Sequence, residues 1–167
     1  MTRRIVLAVD GDTPQAVQLI EWAAENLNIR PKKASGGDEI TPPEVHVTIL
    51  YVTLPPQLPD WGFHALFTGD KLWEEILVEN QKRAELAAVN LRELAARLEL
   101  AAGIKTRPGD ARDVVAKYVK ADKTDLLVVG SRGLSGAAGM LMGSVSSYLV
   151  ANAGCSVVVY RGAKADA

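Results

Sequence analysis

Two aliphatic runs, Ile5-Val-Leu-Ala-Val9 and Leu126-Leu-Val-Val129, carry no polar residue on either face, and they restrict the fold of this chain more than any other feature. A strand with one wet face alternates apolar and polar residues. A strand that is apolar throughout belongs in a parallel sheet with helices packed on both sides. Each run ends in turn chemistry. Asp10-Gly-Asp follows the first, after which Thr13 supplies an N-cap hydroxyl and Pro14 a pre-set φ for a helix to about Asn28, with Ala16, Ile20, Ala23 and Leu27 along one stripe.

The same alternation continues along the chain. Val45 to Val52 reads as the second strand. A helix from Trp73 to Ala102 is marked by Ala87, Leu91, Leu94 and Leu98, with Gly103 as its C-terminal cap. Ile104 to Arg107 is a short third strand, Asp110 and Asp113 open a helix through Val114, Val115, Tyr118 and Val119, and Asp125 to Gly130 is the fourth strand. Ser144 to Asn152, capped by Gly154, is a fourth helix, and Cys155 to Tyr160 the fifth strand. Five strands and four helices in strict alternation predict an α/β fold, an open parallel sheet with helices on both faces. Two connections exceed the usual length, 30–44 with three prolines and the aromatic stretch 55–72. Both are expected to be flexible loops, as is the tail 162–167.

The 167 residues, 48% apolar, suffice for one domain over 1–167. A formal charge of −1 supplies no polybasic surface for nucleic acid. The aliphatic runs fall far short of the ~20 residues that cross a bilayer, so no membrane association is expected. The single cysteine, Cys155, excludes an internal disulfide framework and fits a reducing compartment, so a cytoplasmic location is expected.

In open α/β sheets ligands sit beyond the carboxyl ends of the strands, where the strand order reverses. The informative strand end is the fourth. Gly130, Gly133, Gly136, Gly139 and Gly143 place five glycines in fourteen residues between a buried strand and a helix. Glycines there let backbone N–H groups approach an anion, and the helix opening at Ser144 adds its positive end. The spacing excludes GxxxxGK[ST], because no Lys follows Gly143. The first strand is followed by Asp10-Gly-Asp-Thr rather than GxGxxG. Ser35-Gly-Gly-Asp38 lies inside the charged loop and reads as linker.

The spacing Gly130, two residues, Gly133, nine residues, Gly143-Ser144 resembles the motif of the universal stress protein family. The resemblance extends over nearly the whole chain, through Val9-Asp10-Gly11, Tyr51-Val52, Gly109-Asp110, Leu127 to Gly133 and Cys155 to Tyr160. It implies strand order 3-2-1-4-5, an adenine-nucleotide alpha-hydrolase-like sheet, and ATP, or AMP or ADP, as ligand, with Mg²⁺ accompanying the nucleotide. Carried over by position, Ala8, Val9 and Asp10 would line the adenosine side, with Asp10 also available to the metal, and Val52 would pack near adenine. Val129, Gly130 and Gly133 would flank ribose and phosphates. Gly143, Ser144, Val145 and Ser146 would hold the phosphates by backbone and hydroxyl donors. Asp12-Thr13-Pro14 and the two long loops depart from the family pattern and leave the adenine side open.

Other readings stand beside these. The glycines can serve close packing alone, Asp10 can be a turn acid at a helix start, and Arg132 can touch a phosphate or simply face water. The aromatic cluster Trp61, Phe63, Phe67 and Trp73 can pack on the long helix or form a lid. His46 and His64 are far apart in sequence and make no metal-ligand spacing with Cys155. Two functions compete: a regulatory module whose nucleotide state or dimer is read by a protein partner, and an adenine-nucleotide hydrolase or adenylating enzyme. The glycine segment offers serines and one arginine but no Lys, Glu or His, so hydrolysis would be slow or absent. The last strand, 155–160, lacks the usual edge protections and is expected to pair two copies into a homodimer.

Overall fold

The chain is described by a computed structural model over residues 2–33, 40–41, 45–53, 69–131 and 142–162. β1 (Arg3–Val9) lies at the centre of a five-stranded sheet, between β4 (Val45–Thr53) and β6 (Leu126–Gly130). β5 (Ala102–Pro108) and β7 (Ser156–Tyr160) form the two edges. All four pairings are parallel. Counting these five strands alone gives 3-2-1-4-5, the order the resemblance implied. A further two-residue antiparallel ladder joins β2 (Lys32–Lys33) to β3 (Ile40–Thr41), inside a segment whose composition had suggested loop throughout.

The doubly apolar strands divide their side chains between two cores. Ile5, Leu7, Val47, Ile49 and Val128 point to one face, covered by α1 (Pro14–Asn26) through Leu19 and Ile20 and by α2 (Gly69–Arg97) through Leu91 and Leu94. Val6, Leu50, Val52, Leu127 and Val129 point to the other, covered by α3 (Ala111–Asp122) through Val115 and Val119 and by α4 (Ser144–Asn152) through Leu149. Ile5, Leu127 and Leu149 have no exposed surface. Burial of each such side chain contributes on the order of 1.5–3 kcal/mol. The strand ends are therefore anchored from both sides.

The helix starts of α1 and α3 follow local chemistry, whereas both bounds of α2 differ from those expected. Thr13 caps α1, its Oγ1 accepting from the Ala16 N–H at 3.2 Å, and Asp110 caps α3. α2 begins at Gly69, so the preceding connection is shorter than 55–72. It ends at Arg97, where Glu99 (φ 56°) turns the chain and Leu100 N–H donates to the Ala95 carbonyl at 2.8 Å. Gly103, expected as the cap, is instead within β5. A Schellman-type closure normally favours glycine, but its hydrogen bonds here hold a glutamate in the left-handed region.

Candidate functional site

Strand order reverses between β1 and β6. From β1 the chain crosses through α1 to β4 on one side; from β6 it crosses through α4 to β7 on the other. This is the switch point, and the crevice beyond it is where a ligand of this fold class sits. Ala8 and Val129 are paired across β1 and β6. With Val52 near the end of β4, they face the α3/α4 side of the sheet, the same layer that Val145 and Leu149 of α4 pack against. Val9 does not join them. Its side chain turns into the α1/α2 core, which leaves only its backbone for the crevice.

Asp10 stands exposed just past β1, and its Oδ1 accepts the Thr13 hydroxyl at 2.8 Å. The same Thr13 oxygen caps α1, so one hydroxyl fixes both the helix start and the carboxylate.

The glycine segment is held at its two ends. Gly143 N–H donates to the Ser131 carbonyl at 2.7 Å, Ser131 N–H donates to Tyr160 of β7 at 2.7 Å, and the Ser146 hydroxyl donates to the Gly130 carbonyl. Arg132 and Gly133 lie outside the described residues. Ser146 is buried, and its hydroxyl hydrogen is given to the Gly130 carbonyl.

The start of α4 differs from those of α1 and α3. Gly143 is its N-cap and makes no side-chain cap, and the first intrahelical bond is Ser147 N–H to the Gly143 carbonyl at 2.9 Å. The backbone N–H groups of Ser144, Val145 and Ser146 precede that bond and have no partner within the helix. Three clustered donors at the positive end of a helix suit an anion. Among the described residues no group of three or more His, Cys, Asp or Glu could hold a metal ion on its own.

A second polar group, on the α1/α2 side, had no local signal in the sequence. Asn90 of α2 donates to Asp12 Oδ2 at 2.5 Å, joining residues 78 positions apart. Tyr51, opposite Val9 on β4, lays its ring against the turn; a Cβ on Gly11 would lie 3.6 Å from it. Gly11 takes φ 122°, a conformation other residues rarely adopt. Burial pushes the Tyr51 phenol above its ordinary value, with Asp12 and Asp10 adding to the shift and Arg83 opposing it.

Residues 1–161 match the sequence model of the Universal stress protein family. A 60-residue stretch is 43% identical to a "Universal stress protein A-like protein" of Arabidopsis thaliana. It covers 36% of this chain and 33% of that relative, so the match spans a third of the longer protein. A universal stress protein of Thermus aquaticus is 31% identical over 96 residues, 57% of this chain and 68% of the relative. In structure, the chain is similar to UspA of Lactobacillus plantarum (TM-score 0.71, 19% identity, 96% and 98% of the two chains). It is also similar to an Arabidopsis thaliana family protein with AMP bound (TM-score 0.61, 19% identity, 97% and 93%). Further neighbours carry cAMP and, in the Archaeoglobus fulgidus protein, dAMP, at TM-scores of 0.51 and 0.52.

Proposed function

The chain belongs to the universal stress protein family, and from that premise we propose that it is an adenine-nucleotide-binding regulatory protein. The observation that carries the reading is the start of α4: three N–H groups without helical partners, beside the crevice between β1 and β6. AMP, cAMP and dAMP, bound by structural neighbours, share an adenine base and one phosphate. On this reading the phosphate rests on the N–H groups of Ser144 to Ser146, with Gly143 leaving room for it. Ala8, Val52 and Val129 supply an apolar wall for the nucleoside, and Gly130 with Gly133 and Arg132 flank the ribose and phosphates. ATP fits the same donors, and Asp10 is placed at the end of β1 to meet its Mg²⁺ or the ribose.

The chain acts in this proposal by binding rather than turnover. The segment 130–146 contains no Lys, Asp, Glu or His, so it offers no base to orient water and no lysine to steady a γ-phosphate. The bound state is transmitted to a protein partner or through a homodimer. β7 supports the dimer because it is an edge strand with Val157, Val158 and Val159 only partly buried and no Pro or Lys among its residues. Titration calorimetry with AMP and with Mg-ATP tests the binding. One site per chain is the expected result, and no heat with either nucleotide at millimolar concentration would refute the reading.

A further inference from the structure

We infer that the outward face of α2 is a self-complementary surface on which a second copy of this chain docks, its own α2 running antiparallel to the first. The inference stands apart from the nucleotide reading and from the β7 pairing, because α2 packs beside β5, the sheet edge opposite β7.

α2 turns Ala87, Leu91, Leu94 and Ala95 into the core, and Glu75, Val78, Lys82, Glu85, Val89 and Arg92 lie exposed on the opposite side of the helix. These six are spaced alternately three and four residues apart, the 3.5-residue period at which one helix meets another along a single seam. Val78 is 50% exposed and Val89 43%, so both offer apolar surface to a partner, with Leu86 exposed beside them. Among the described residues Glu75, Lys82 and Arg92 take part in no ion pair, and Glu85 accepts only the Gln81 amide, at 2.9 Å. The charges of the seam are therefore available to another chain.

Charge complementarity names the occupant. When two such helices lie antiparallel with Lys82 of one opposite Glu85 of the other, the same register sets Val78 opposite Val89 and Glu75 opposite Arg92. The two-fold axis repeats each pair, so every layer of the seam is apolar on apolar or acid on base. The neighbouring alignments fail. Sliding one copy by a heptad sets Lys82 against Arg92 or Glu75 against Glu85, and a parallel pairing in register sets each charge against its own like. Two valines and a leucine from each copy make a small contact, with a dissociation constant on the order of hundreds of micromolar. A pair already joined through β7 presents two such faces, so the seam would gather pairs into larger assemblies as the protein becomes abundant.

The test is sedimentation equilibrium of the full chain, of Lys82→Glu, of Glu85→Lys and of the double variant, from about 10 μM to about 1 mM at low salt, with circular dichroism recorded for each. Both side chains are exposed, so all four proteins should fold alike. The wild type should gain mass with concentration, approaching twice its mass at the lower end. Each single variant sets like charges against each other and should associate about tenfold more weakly. The double variant restores opposite charges across the seam and should associate as the wild type does. An equimolar mixture of the two single variants should do the same, because the reversed charge at 82 in one meets the reversed charge at 85 in the other. If residues 54–68 or a different protein are what cover the face, either single variant has the mass of the wild type at every concentration, and that result overturns the inference. Failure of the double variant, or of the mixture, to associate overturns it as well.

Discussion

Asn90, in the second half of α2, donates a hydrogen bond to the carboxylate of Asp12 in the turn after β1. The bond fixes the long helix over the β1 strand end, where only one of its faces meets the sheet: Leu91 and Leu94 are buried, whereas Leu86 and Val89 are exposed. Asn90→Ala is expected to cost about 1 kcal/mol, the usual net value of such a bond, or roughly 2–4 °C in Tm. A double-mutant cycle with Asp12→Ala should return most of that loss as coupling. Additive single effects would show that the pair contributes nothing as a pair.

Asp110 caps α3 and is bound by the Arg112 guanidinium at 2.8 and 3.0 Å, with the Arg112 N–H also donating to it. These bonds lower its carboxyl pKa from the ordinary carboxylate range to about 2. A depressed folded-state pKa contributes stability that is complete above the unfolded value and is lost as pH falls through the folded one. Asp110→Asn should therefore melt below the wild type at pH 7, with the gap closing between about pH 4 and pH 2. A gap independent of pH across that window would remove the charge from the explanation and leave only the cap.

Leu149 joins α4 to the sheet and is fully buried. Leu149→Ala should destabilise by about 2–5 kcal/mol, seen as a lower Tm or denaturant midpoint. Because the same helix carries the proposed phosphate donors, nucleotide should recover part of that loss by mass action.

Light scattering should find a dimer at tens of micromolar. Val157→Pro, which removes a donor on the open side of β7 (Tyr160 and Val158 face β6, where the Tyr160 carbonyl accepts from Ser131), should shift it toward monomer while circular dichroism stays unchanged. A monomeric wild type would refute the dimer, and a dimeric folded variant would move the interface elsewhere.

The sheet was legible because its strands are apolar on both faces. Leu126 and Val128 had to find one core and Leu127 and Val129 another, and a two-sided parallel sheet supplies both. The crevice followed from topology, since Gly130 and Gly143 flank the strand-to-helix crossing at the switch point. Relationships with no local pattern were not legible. Nothing near Asn90 announces Asp12, and no periodicity announces the bond from the Ser146 hydroxyl to the Gly130 carbonyl. Glu99 in the left-handed region was equally hidden, because Gly103 offered the intrinsically cheaper cap and the local bonds of Glu99 and Leu100 to Ala96 and Ala95 close the helix before it.

The central claim is that the open start of α4 binds the phosphate of an adenine nucleotide, and thermal unfolding of the wild type and of Gly143→Val with and without AMP tests it most directly. Gly143 has φ −68° and ψ 158°, which valine can adopt, so the variant should fold while its side chain occupies the space beside the donors. At 100 times the dissociation constant, AMP should stabilise the wild type by about 2.7 kcal/mol, roughly 5–10 °C. It should leave folded Gly143→Val unmoved. Equal shifts in both proteins would contradict the assignment of the phosphate to α4, and no shift in the wild type would contradict nucleotide binding itself.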